Sequence, residues 1–166
     1  MLIARLLPVL SLALAVPARA GETDALATRL LAAHNTERTR LGIAPLRWSP
    51  ALADQARSWA GDLARRGALE HARDRQGAGE NLWMGTSGYY APEAMVGAFV
   101  GERRYFRPGT FPNVSTTGRW FDVGHYTQLI WPETREVGCA LANGPRFDVL
   151  VCRYFPAGNV ITQRVP

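Results

Sequence analysis

Leu26, Leu30, Ala33 and Leu41 recur at helical spacing and predict a first helix over residues 24–41. Gly42 stops it, ahead of the loop Ile43-Ala44-Pro45. The next helix has the sharpest pattern in the chain. Ser49 stands where an N-cap is needed, and Pro50 fills the first helical position, where a missing N–H costs nothing. Leu52, Ala56, Trp59, Ala60 and Leu63 then make one apolar stripe, which Gly67 closes. Residues 77–88 are glycine-rich and read as loop, with a short strand over 81–84. A third helix is predicted from Pro92 to about Tyr105, with Met95, Phe99 and Glu102 on one face. Residues 106–123 read as irregular: Pro108, Gly109, Pro112 and Gly118 break them, and Phe106, Phe111, Trp120 and Phe121 supply apolar content. A short helix around 125–130 precedes two β-type runs, 136–142 and 147–155, joined by the turn Asn143-Gly144-Pro145. Helices come first and strands late, which predicts an α+β domain with helices packed on a sheet.

The first twenty residues stand apart from that pattern. One early cation (Arg5), an apolar run over 6–16 and Ala18-Arg19-Ala20 compose a signal peptide cleaved after Ala20. The run is shorter than the roughly 20 residues a bilayer span needs and is broken by Pro8, so an uncleaved anchor is the weaker alternative. The expected domains are therefore a signal peptide over 1–20 and one compact domain over 21–166, secreted or periplasmic, with no transmembrane segment after cleavage. Of the 166 residues, 47% are hydrophobic and 20% charged, a globular composition that excludes a disordered or collagenous chain. All 19 cations are arginine. Cleavage leaves 17 of them against 14 acids, a modest field that together with export argues against nucleic acid as a partner.

Export also changes the meaning of Cys139 and Cys152. In an oxidising compartment an even pair on two neighbouring β-type runs is expected to bridge, the alternative being two buried thiols; strand register decides between them. The three histidines are His34, His71 and His125, with Glu80 downstream of His71. Imidazole and carboxylate are the ligand types of Zn²⁺ and related divalent cations. None of these residues shows a short metal-binding spacing, so spacing alone favours buried, hydrogen-bonded histidines.

Four segments carry a specific resemblance. The run from Gly124-His125-Tyr126-Thr127-Gln128 to Thr134 is similar to the first signature of the CAP superfamily: cysteine-rich secretory proteins, antigen 5 and pathogenesis-related proteins of group 1. The run from Val149 through Cys152-Arg153-Tyr154 to Asn159 and Val160 resembles the second. His34-Asn35-Thr36-Glu37-Arg38 and Gly79-Glu80-Asn81-Leu82 match two further family elements, in family order, and Leu46-Arg47-Trp48 also fits. The chain is thus identified as a single-domain, bacterial-type member. The resemblance implies a three-layer α-β-α sandwich with a central cleft, in which His71, Glu80, Glu102 and His125 converge. It implies a Cys139–Cys152 bridge as well. Phe99 replaces the tryptophan usual in the element that places Glu102.

What this implies for function is binding rather than catalysis. The leading expectation is a module for a small apolar or amphipathic ligand of lipid or sterol type, motivated by the aromatic segment 106–121. His71 and His125 would hold a divalent metal, Zn²⁺ or another divalent cation, with Glu80 and Glu102 orienting the imidazoles or a bound water. A metal-dependent hydrolase using the same four residues is the first alternative. The second is an envelope or host-surface protein meeting anionic groups through Arg65, Arg66, Arg73, Arg75, Arg103, Arg104 and Arg107. His34, Asn35, Arg38, Asn81, Gln128 and Asn159 are expected to serve the scaffold: the first three tying the first helix to its neighbours, Gln128 as an interior polar group and Asn159 as turn chemistry.

Overall fold

A computed structural model of the chain describes residues 20–166; the segment read as a signal peptide, Ala20 excepted, lies outside them. Helix α1 (Ala20–Arg40) leads through β1 (Arg47–Trp48) into α2 (Pro50–Arg66). Strand β2 (Gly79–Thr86), α3 (Pro92–Gly101), β3 (Gly109–Thr110), α4 (Gly124–Leu129), β4 (Glu136–Asn143), β5 (Phe147–Phe155) and β6 (Arg164–Val165) follow. A four-stranded sheet in the order β1-β4-β5-β2 forms the middle layer, and β3 pairs with β6 outside it. Among the described residues no helix is long and apolar enough to cross a membrane.

The alternation along the strands divides the core in two. Val149 and Val151 of β5, with Leu82 and Ala140, pack against Ala56, Ala60, Leu63 and Ala64 of α2. Leu150, Cys152 and Tyr154 face the other way, into a larger cluster with Leu30, Met95, Phe99, Leu129 and Trp131. Helix α2 therefore covers one face of the sheet and α1, α3 and α4 the other, a three-layer α-β-α sandwich.

Local signals placed α2 well. Gly67 takes the left-handed conformation (φ 60°), and its N–H closes onto the Leu63 carbonyl. Ser49 holds the extended N-cap conformation without a side-chain cap bond. Three elements differ from expectation. Strand β2 runs eight residues, because its whole length pairs with β5. Helix α3 ends at Gly101, and residues Glu102–Tyr105 tighten into a 3-10 turn. The irregular segment contributes β3 and a 3-10 turn at Trp120–Asp122.

Register brings Cys139 directly opposite Cys152, and the two are bridged, with their Cα atoms 4.1 Å apart. On the α1 side His34 is fully buried between two fixed partners. Its Nδ1–H donates to the Leu30 carbonyl (2.7 Å) and its Nε2 accepts from the Tyr154 hydroxyl (2.7 Å), a tautomer fixed by the carbonyl, which can only accept. Burial pushes the His34 pKa down to about 4, with Arg38 acting in the same direction and the Leu30 carbonyl opposing. The unfolded chain therefore binds this proton first as pH falls from 6.5 toward 4, and folding stability falls over that window. The expected cost is about 2 kcal/mol at pH 5 relative to pH 8. Urea titrations of the wild type and His34→Gln across this range check it: the variant should lose that part of the acid limb, and an unchanged limb would refute the assignment.

Candidate functional site

Glu80 and Asn81 are neighbours on β2, so they point to opposite faces of the sheet, and each organises one half of a cleft at the Gly79 end. On the α2 face, His71 comes from the loop after α2. Its Nδ1–H donates to Glu80 Oε1 at 2.6 Å, and the Ala72 N–H donates to the same oxygen at 3.1 Å. Register sets Arg153 opposite Glu80, and its guanidinium stands 3.1 Å from Glu80 Oε2. The Glu80 side chain is wholly buried and that of Arg153 nearly so. Burial lowers the Arg153 pKa, and the Glu80 charge works against that.

On the other face, His125 opens α4. Its Nδ1–H donates to Glu102 Oε1 at 2.6 Å, while Glu102 Oε2 accepts the backbone N–H groups of His125 (3.0 Å) and Tyr126 (3.1 Å). Phe99 stacks on the His125 ring, 5.1 Å between centroids at 24°, so the ring that replaces the family's usual tryptophan still supports this imidazole. Asn81 donates to the His125 carbonyl (2.9 Å) and to the Tyr154 hydroxyl (3.2 Å). A chain of hydrogen bonds therefore runs from the cleft through Tyr154 to His34.

In both halves a carboxylate takes Nδ1–H, leaving the Nε2 lone pair of each imidazole available. His71 and His125 line one cleft of about 550 Å³ together with Glu80, Arg75, Trp120 and Phe121. Trp120 is 44% exposed and Phe121 58%, whereas Phe111 of the same segment is buried in the core. Glu102 meets His125 from just outside this lining. Gln128 and Asn159 belong to the cleft wall. Gln128 Oε1 accepts the Gly158 N–H (2.9 Å) and lies 2.0 Å from where a Cβ on Gly79 would sit, so a side chain there would have to displace the Gln128 amide. Asn159, at φ 57°, donates to the Gly124 carbonyl and accepts from the Thr127 hydroxyl, which pins the start of α4.

His34, Asn35 and Arg38 lie away from the cleft and serve the scaffold. Asn35 exchanges two hydrogen bonds with the Leu46 backbone. Arg38 is wholly buried and donates to the carbonyls of Ala44, Leu129, Trp131 and Thr134. Glu37, which the sequence did not single out, binds Arg40, Arg103 and the Tyr126 hydroxyl. Burial disfavours its charge, but these donors outweigh it and hold the carboxyl below its usual range. Because Arg103 follows Glu102 and Tyr126 follows His125, Glu37 braces both members of that pair. Arg153, too, was not foreseen as a partner of Glu80; strand alternation was the available signal, but it needed the register.

Among the described residues, one group of three metal-ligating side chains brings its ligand atoms within 4.8 Å of one another: His34, Cys139 and Cys152. Its sulfurs are bonded to each other and its imidazole is committed on both nitrogens, so this group offers no vacant donor. The cleft residues instead form two imidazole–carboxylate pairs. The arginine clusters are partly neutralised: Arg65 and Arg66 pair with Asp62, Arg66 also with Glu70, and Arg103 with Glu37.

A three-layer sandwich with a cleft of paired His and Glu residues defines a class of protein, and sequence comparison agrees. Residues 31–154 match the profile of CAP, the cysteine-rich secretory protein family, and the chain belongs to it. It is 34% identical over 132 residues to pathogenesis-related protein 1C of Nicotiana tabacum, covering 79% of this chain and 75% of that one. It is 36% identical over 137 residues to pathogenesis-related leaf protein 4 of Solanum lycopersicum, covering 81% and 79%. Among solved structures, that of NaASP2 with Zn²⁺ superposes with a TM-score of 0.71 over 84% of each chain, at 24% identity.

Proposed function

We propose that this protein is an exported binding module whose cleft takes a small apolar or amphipathic ligand and holds a divalent cation on His71 and His125. The observation that carries the reading is the shared cleft: two exposed rings, Trp120 and Phe121, line it beside two imidazoles whose Nδ1–H groups are already committed. A ring pair gives a ligand apolar contact at low entropic cost, and Arg75 supplies a cation for an acidic headgroup. The donor set suits a borderline metal such as Zn²⁺, with two neutral nitrogens in place and Glu80 and Glu102 fixing their orientation. A bound cation would supply Lewis acidity and an attachment point for an anionic group. The solved NaASP2 structure contains Zn²⁺ in a protein of this fold.

Metal content of protein purified without chelator or metal-affinity tag tests the cation. About one Zn²⁺ per chain after addition, lost in His71→Ala/His125→Ala, is the expected result; no uptake would make the four residues a structural network. Solvent extraction and fatty-acid or sterol uptake test the ligand. Trp120→Ala/Phe121→Ala should weaken uptake about tenfold or more, the order expected for two buried rings. A protein that extracts empty and takes up neither class would sink the reading. Mass measurement of the exported chain tests cleavage after Ala20.

A further inference from the structure

The opposite edge of the sheet carries a second feature. Strand β1 is two residues long and pairs with Glu136 and Val137, so among the described residues β4 from Cys139 onward has no strand on that side. The register shows which way the backbone groups of this stretch point. The Gly144 N–H donates to the Phe147 carbonyl, which places the even-numbered residues of β4 toward β5, and the Ser49 N–H reaches the Val137 carbonyl, which places the odd-numbered ones toward β1. Cys139 and Leu141 therefore turn their N–H and C=O groups outward, beyond the end of β1. They form the floor of a groove of about 470 Å³, walled by Leu26, Ala27 and Leu31 of α1 and by Pro50, Ala53 and Asp54 of α2.

We propose that this groove binds an extended, cationic polypeptide segment of another protein, which adds as a strand to the free edge of β4. Three observations select that occupant. An acyl chain would bury the four outward backbone groups without partners, whereas a strand supplies a donor and an acceptor for each residue. The helical walls recess the edge, so a single extended segment fits where the sheet edge of a second copy would meet α1 and α2. The polar lining carries two carboxylates, Asp24 and Asp54, against one guanidinium, Arg57, which pairs with Asp54; in a chain with net positive charge this is a locally acidic site.

The test uses the peptide acetyl-Arg-Val-Arg-Val-Arg-amide, its fully N-methylated counterpart and palmitate, with amide exchange read by NMR. In the free protein the Cys139 and Leu141 amides should exchange much faster than those of Ala140 and Ala142, which face β5. The peptide should protect both, and N-methylation should weaken binding about tenfold or more through loss of its donors. Leu141→Pro removes one outward N–H while leaving the bonds to β5 in place, and should weaken the peptide comparably. Should that variant fail to fold, the methylated peptide carries the same test from the ligand side. Equal binding of the methylated peptide, peptide binding with neither amide protected, or palmitate that competes with the peptide would overturn the proposal; so would concentration-dependent dimerisation that protects both amides without peptide. The cleft metal and lipid assays are independent of every one of these outcomes.

Discussion

Arg38→Ala is expected to destabilise the protein by about 4 kcal/mol, the range for removing a fully buried, hydrogen-bonded charge. The reason is particular to this site. The guanidinium is wholly buried, and its donors satisfy the carbonyls of Ala44, Leu129, Trp131 and Thr134 at 2.8–3.1 Å. Burial pushes its pKa down to about 10, with Arg135 adding to the effect, so it stays charged at neutral pH. Truncation would leave four carbonyls without their donor and open a cavity between α1 and the segment joining α4 to β4. Arg38→Lys should recover only part of the loss, because an ammonium has three donors and no planar fork. Urea denaturation measures both changes. The alanine variant should also melt about 10 °C or more below the wild type. A loss under 1 kcal/mol would mean that water replaces the guanidinium at no cost, contrary to this account.

Reducing the Cys139–Cys152 bridge, or replacing both cysteines with alanine, should cost about 3 kcal/mol. The bridge spans 13 positions of sequence and closes the β4–β5 hairpin, so reduction releases the loop-closure constraint on the unfolded chain. The cysteines are buried beside Tyr154 and Leu150, and the alanine pair loses packing as well. Denaturation with and without reductant separates the two contributions. If reduction leaves the midpoint unchanged, the hairpin is held by its hydrogen bonds and core alone. If His71 and His125 hold a cation as proposed, its uptake should survive reduction in the folded protein, since both lie on other elements.

These two variants mark where sequence and structure divide the explanation. Helix α2 was legible because its signals are local: Pro50 starts it, the Leu52–Leu63 stripe buries it, and Gly67 ends it with a left-handed turn. The β4–β5 hairpin was legible for the same reason, its turn residues lying between two apolar runs. Strands β3 and β6 were not. Each is two residues long, and 109–110 pairs with 164–165, so neither segment contains its own reason to be extended. The 3-10 turn after Gly101 likewise follows from the need to present Glu102 to the α4 amides, a tertiary demand.

The candidate site divides in the same way. The family resemblance singled out His71, Glu80, Glu102 and His125; by residue type alone only the histidines, three in the chain, were scarce enough to draw attention. Which carboxylate meets which imidazole followed from topology: β2 alternation sends Glu80 to the α2 face and Asn81 to the other. Arg153 became the partner of Glu80 only once β2 and β5 had taken a register, and a slip by one residue would turn its side chain to the opposite face. Sequence by itself thus determined the elements with local signals and the chemistry at hand. Tertiary structure alone decided the pairings, the burial of His34 and Arg38, and the free edge of β4, because each depends on contacts between residues far apart in the chain.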